Sequence, residues 1–167
     1  EATPLRIVMN KGNLYIMISI LLVLMVMMGL WQFSESSREP VPVALTPDNM
    51  EVVFAGKTIY VAQCAACHGK ELQGQPDWKR RNADDRLPAP PHNETGHTWH
   101  HTDQLLFDLT KKGLQAITGS DYATDMPIYK DILSDDEIIA VLSYIKSTWP
   151  AEIRKRHNGM NKATVNN

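Results

Sequence analysis

The run Cys64-Ala65-Ala66-Cys67-His68 constrains this chain more than any other feature. It holds the only two cysteines among 167 residues, so no further pair exists to build a disulfide framework. Two thiols at this spacing can each add to one vinyl group of a haem, forming thioethers, and the adjacent histidine then lies over the iron as a fifth ligand. A Cys-x-x-Cys also serves as half a zinc site or as a thioredoxin-like redox pair. Zinc requires a second ligand pair, which His97, His100 and His101 could offer, but that reading leaves His68 unexplained. One covalent haem c, attached through Cys64 and Cys67 with His68 on the iron, accounts for all three residues.

A sixth ligand must come from elsewhere, and the chain has eight methionines and five other histidines. Met17, Met25, Met27 and Met28 lie in a long apolar segment and Met9 precedes it; Met50 falls in an expected helix and Met160 in a polar tail. Met126 remains, in Thr124-Asp125-Met126-Pro127, a loop ahead of the last expected helix of the domain. Most methionines simply fill gaps in a core. A loop position followed by a proline, which stiffens the backbone, points instead to a thioether held against the iron.

The apolar segment is Leu14–Trp31, eighteen residues without charge or proline. As a helix it would be roughly 27 Å long, close to the hydrocarbon thickness of a bilayer. It lacks the polar stripe of a core helix, and no A-x-A cleavage pattern follows Trp31 as it would in a signal peptide. The expectation is a transmembrane helix over 13–33 after a short cytoplasmic N-terminus, 1–12. Arg6 and Lys11 before the span leave that end inside and carry the rest of the chain to the periplasmic face of the inner membrane. A Pro-rich spacer over 34–46 follows, with no helix expected in it, since Pro40, Pro42 and Pro47 break the run.

The domain itself is expected over 47–150. Val52, Val53, Gly56, Ile59 and Tyr60 sit at helical spacing and run into the Cys-x-x-Cys. Thr102 caps a short helix ending before Gly113, with Leu105, Leu106 and Leu109 facing inward. Ser134-Asp135-Asp136-Glu137 is a capping box, and Ile138, Leu142, Ile145 and Trp149 mark one face of the helix it opens. Pro150 is expected to end that helix, leaving 151–167 as a basic, solvated tail.

From about Asp48 to Trp149 the chain resembles class I c-type cytochromes. CAACHG (64–69), PAPP (88–91), DMP (125–127) and LSDDEIIAVLSYI (133–145) carry the resemblance, in that family's order. It implies an all-α class I cytochrome c fold around one covalent haem, with His68 and Met126 as axial ligands. It also implies that Gly56 and Tyr60 pack against the terminal helix near Leu142 and Tyr144, and that a proline carbonyl accepts the second imidazole N–H of the proximal histidine. Pro90 and Pro91 both occupy the matching stretch. The loop His92–His101 departs from the minimal pattern, with His92, His97, His100, His101 and Trp99 in ten residues. Its favoured reading is a surface loop whose Trp99 and one histidine line the haem edge or bond a propionate. A histidine displacing Met126, or a copper or zinc site, are the alternatives. GHTWHH (96–101) resembles a phrase found among membrane-tethered bacterial mono-haem cytochromes.

Within 47–150 ten Lys/Arg stand against fifteen Asp/Glu, an acidic balance that argues against nucleic acid and suits docking on a basic redox partner. The function expected is single-electron transfer by a carrier, not an enzyme, with no small-molecule substrate. Its partners would be the lipid bilayer and a membrane electron-transport complex or redox protein; the mono-haem subunit of alternative complex III is one resemblance. The competing class is a haem enzyme or gas sensor with an open sixth site, using a histidine of the 92–101 loop.

Overall fold

The computed structural model describes residues 11–36, 42–119 and 121–165, and among these every regular element is helical. The chain divides into two compact units at the boundary between Val41 and Pro42.

The first unit contains α1, Lys11–Ser36. Its segment Gly12–Gly29 is exposed along its length and is long and apolar enough to cross a membrane. The helix runs on through Ser34, Glu35 and Ser36, which were expected to be spacer. No proline lies between Lys11 and Pro40, so nothing in those residues stops the helix.

In the second unit, α2 spans Met50–Gln63, with the Asn49 side chain accepting from the amides of Glu51 and Val52. The short α3, Ala65–His68, follows directly. A 3₁₀ turn at Thr98–His100 leads into α4, Asp103–Lys112, where Thr102 Oγ1 accepts the Leu105 amide. Its buried face is Asp103, Leu106 and Phe107, while Leu105 and Leu109 are only half-buried. The helix is therefore turned from the expected all-leucine face, and a charged residue goes inside. After the single turn α5, Gln115–Thr118, comes α6, Asp135–Ser147, opened by the Ser134/Glu137 capping box in both directions.

α2 and α6 cross at close range. Gly56 faces the Ala140 backbone and the Tyr144 side chain, and the rings of Tyr60 and Tyr144 lie 5.5 Å apart. Ile138, Leu142, Ile145 and Trp149 are all buried, in one core with Tyr60, Leu106, Phe107 and Tyr129.

Two boundaries differ from expectation. Residues 42–46 belong to the domain: Leu45 is in the core, its amide donates to Asp103 Oδ2 at 3.0 Å, and the Thr46 amide donates to Ser143 Oγ at 2.9 Å. The expected tail is a helix, α7, over Ala151–Val165. Pro150 opens it, with the Pro150 carbonyl accepting the Arg154 amide at 3.0 Å, since a proline at a helix start loses no hydrogen bond. α6 has already stopped at Ser147.

Candidate functional site

The Cys64–His68 run lies at the junction of two helices. Cys64 ends α2, its amide donating to the Tyr60 carbonyl at 2.9 Å, and its own carbonyl accepts the amides of Cys67 and His68 at 3.1 and 2.9 Å. That turn stacks Cys64 and His68 on one side, one helical turn apart. Cys64 is half-buried and Cys67 exposed, and neither is in a disulfide. Burial, with Cys67 beside it, pushes the Cys64 thiol up to about 11.

His68 is buried, and its Nδ1 lies 2.8 Å from the Pro90 carbonyl oxygen. Of the two prolines, Pro90 therefore meets the histidine, while the Pro91 carbonyl accepts from Thr98 Oγ1 at 3.4 Å. A proton on Nδ1, donated to that carbonyl, leaves the Nε2 lone pair available. Burial holds the imidazole below its ordinary proton affinity, against the opposing pull of the Pro90 carbonyl. Gly74 lets the proline segment come this close: its φ is +68°, and a Cβ there would meet the Pro91 nitrogen at 2.5 Å. Its amide donates to the His68 carbonyl at 2.8 Å, and the Gln75 amide to the Ala89 carbonyl at 2.9 Å.

The histidine loop is drawn in differently from residue to residue. The His92 ring stacks on His68, centroids 3.9 Å apart, and its Nδ1 is 2.8 Å from Thr98 Oγ1. Burial first, and then His68 and His97 nearby, hold His92 well below the ordinary histidine range. His97 stacks on Trp78 and His100 on Trp99. Trp99 packs on the core, donates Nε1 to the Glu94 carbonyl at 3.3 Å, and has the Arg156 guanidinium 5.3 Å above its ring. Among the described residues no group of three or more His, Cys, Asp or Glu side chains is arranged to hold a metal ion.

Met126 sits in a turn in which its amide donates to Thr124 Oγ1 at 3.1 Å, and the neighbouring Asp125 pairs with Arg86. Its side chain is half-buried and packs on the same core as Cys64 and Trp99. Two thiols, a buried imidazole with one nitrogen left free by the Pro90 carbonyl, and a thioether packed on the core that Cys64 also touches form a donor set that suits a haem.

Sequence reasoning missed a second constellation. Lys146 Nζ lies 3.3 Å from Asp103 Oδ1, both side chains nearly inaccessible. The fully buried His157 on α7 places Nε2 2.8 Å from the His101 carbonyl and Nδ1 3.6 Å from Asp103 Oδ1. The Trp149 ring stands edge-on to His157 at 5.0 Å and donates Nε1 to the His92 carbonyl at 2.8 Å. One signal was available: Lys146 follows Leu142 by four residues and precedes Trp149 by three, on the apolar face of α6.

No curated protein and no solved structure matches the chain. A family model, cytochrome c, matches residues 53–149, more than half of the chain, from within α2 to Trp149. The turn that presents Cys64, Cys67 and His68 thus lies inside a domain of known kind: the chain belongs to the cytochrome c family, binds haem c covalently and is a haem-based electron carrier.

Proposed function

We propose that this is a membrane-anchored mono-haem cytochrome whose iron is held between His68 and Met126, carrying single electrons to or from a membrane electron-transport complex or a redox protein. The observation that carries the reading is the His68–Pro90 contact at 2.8 Å, which orients one imidazole nitrogen for a metal, together with Met126 on the core that Cys64 shares. Haem c supplies a one-electron ferric/ferrous couple. Around it the chain's residues position and insulate. Cys64 and Cys67 anchor the ring edge, and the Pro90 carbonyl fixes the His68 ring and raises its donor strength. The Met126 thioether, a soft ligand, favours the reduced state and raises the potential. With His68 and Met126 both holding the iron, no coordination position would be left open to a substrate.

The acidic balance of the domain fits a basic docking patch. The apolar α1 supports a single-pass anchor in the inner membrane, and Arg6 ahead of it and Lys11 at its start favour the haem domain on the periplasmic side. Among complexes, alternative complex III has a mono-haem subunit of this kind.

The test is a spectrum of the detergent-solubilised protein. His/Met ligation gives a weak far-red sulfur-to-iron band in the ferric form and poor carbon monoxide binding in the ferrous form. Met126→Ala should lower the potential and admit carbon monoxide. Rapid, tight carbon monoxide binding by the unaltered protein would overturn the carrier in favour of an enzyme or sensor, and an unchanged spectrum in Met126→Ala would remove Met126 as ligand.

A further inference from the structure

α7 has two working faces. One packs Ile153 and His157 inward. The other, at positions 151, 154, 155, 158, 159 and 162, forms one wall of a groove of about 560 Å³ closed on the far side by Pro47 and Asp48. The spacing is that of a single helical face.

The groove is cationic. Arg154, Lys155 and Lys162 line it against one carboxylate, Asp48, which pairs with Arg154 at 3.0 Å. Arg154 Nε is buried with no hydrogen-bond partner among the described residues, so the guanidinium has donor capacity that Asp48 does not use. Among the described residues neither Lys155 nor Lys162 has an ion-pair partner. Two residues beyond Asp48, α2 opens with Met50, and Met50 and Phe54 stand one turn apart, 76 % and 74 % exposed. Cations with neighbouring exposed apolar side chains are the composition by which proteins lie on anionic membrane surfaces.

Chain length says which surface is near. Residues 42–46 are bound to the domain through the Leu45 and Thr46 amides, so only 37–41 join Ser36 at the end of α1 to Pro42. That stretch can extend at most about 20 Å. The wall formed by Pro47 and Asp48 begins five residues after Pro42.

We infer that the groove of Asp48, Arg154, Lys155 and Lys162 is a docking surface for anionic phospholipid headgroups of the bilayer that α1 enters, which holds the haem domain against the membrane. The inference rests on the membrane-anchor reading given above. Phosphate oxygens accept from Lys155, Lys162 and the Arg154 guanidinium, each cation near such a surface contributing independently of the others.

The experiment places the full-length haem protein in vesicles of phosphatidylcholine alone, or of phosphatidylcholine with phosphatidylglycerol, and labels it with a membrane-impermeant amine reagent. Peptide mass spectrometry reads Lys155 and Lys162 against Lys70 and Lys130, exposed lysines outside the groove and away from the Met50/Phe54 face of α2. Labelling of Lys155 and Lys162 should fall roughly fivefold with phosphatidylglycerol and recover at high salt, with Lys70 and Lys130 unchanged. Equal labelling in both vesicles, or protection that is the same in phosphatidylcholine alone, overturns the docking surface. Flotation after carbonate washing tests the anchor separately. A chain that carbonate strips away overturns the anchor and this surface with it, whereas one that floats but labels equally overturns the surface alone.

Discussion

His92 lies flat against His68, ring centroids 3.9 Å and planes 22° apart. The contact joins two functions of one loop, because the carbonyl that orients His68 belongs to Pro90, two residues before His92. His92 is itself fixed by Thr98 Oγ1 at 2.8 Å, and its carbonyl accepts from Trp149 at the end of α6. His92→Phe keeps a ring on His68 and loses only the Thr98 hydrogen bond, about 1 kcal/mol of stability. His92→Ala opens a gap beside His68 and should lose about 3 kcal/mol. Its ferric electron paramagnetic resonance signal should broaden as the imidazole samples more orientations. Identical spectra and melting for the two variants would remove His92 as a support of the proximal ring.

The pair Lys146–Asp103, with side chains 3 % and 8 % exposed, joins α6 to α4 and, through Asp103 and the Leu45 amide, to the arriving chain. Removing one partner of a buried ion pair leaves the other charge without compensation. Lys146→Met should destabilise the haem protein by about 3 kcal/mol near neutral pH. The variant also removes the cation that, after burial, does most to depress His157, leaving Asp103 to favour its protonation. The His157 pKa, followed by nuclear magnetic resonance, should therefore rise in Lys146→Met. An unmoved His157 would mean that the three groups are not coupled.

His157 also sets a pH dependence in the unaltered protein. It is fully buried, faced by Lys146 from α6, Asp103 from α4 and the His101 carbonyl, and burial with Lys146 outweighs Asp103 and that carbonyl to hold it below the ordinary 6.5. The unfolded chain then binds this proton before the folded one does. Its contribution is constant above about pH 6.5 and is lost as pH falls from there toward the folded value, at up to about 1.4 kcal/mol per pH unit. His157→Gln should be less stable at pH 8 but show a shallower decline on acidification. Guanidinium midpoints across that range check it; parallel curves for the two proteins would refute it.

How much of this was legible depended on whether the residues act locally. The Cys64–His68 turn, the Ser134–Glu137 box and the Thr102 cap each involve neighbours within four residues, and the structure has them where the sequence puts them. α7 was hidden because its buried face holds His157 and Asn161 with little but Ile153 that is apolar, so no hydrophobic period marks it. Residues 42–46 were hidden for another reason: they dock through backbone amides on Asp103 and Ser143, partners 58 and 97 residues away. The choice between Pro90 and Pro91 turned on the path of a loop that Gly74 brings alongside, a distance no local pattern encodes.

Two helical glycines give the sharpest test of the α2–α6 crossing. A Cβ at Gly56 would overlap the Ala140 carbonyl oxygen, which is backbone and cannot swing aside, and would press on Tyr144 Cβ at 3.0 Å. The helices would have to separate, loosening Tyr60, whose hydroxyl donates to the Gly69 carbonyl at 2.8 Å just beyond His68. Gly56→Ala gains about 1 kcal/mol of helix propensity and loses about 3 kcal/mol or more to overpacking, so it should destabilise the domain. Gly159, inside α7, has nothing within 4 Å of the same added atom. Gly159→Ala should then stabilise by up to about 1 kcal/mol. Thermal melting followed at the haem absorbance compares them directly. Opposite signs are expected because only one of the two glycines lies where one helix backbone touches another, and matching signs would mean that α2 and α6 do not meet at Gly56.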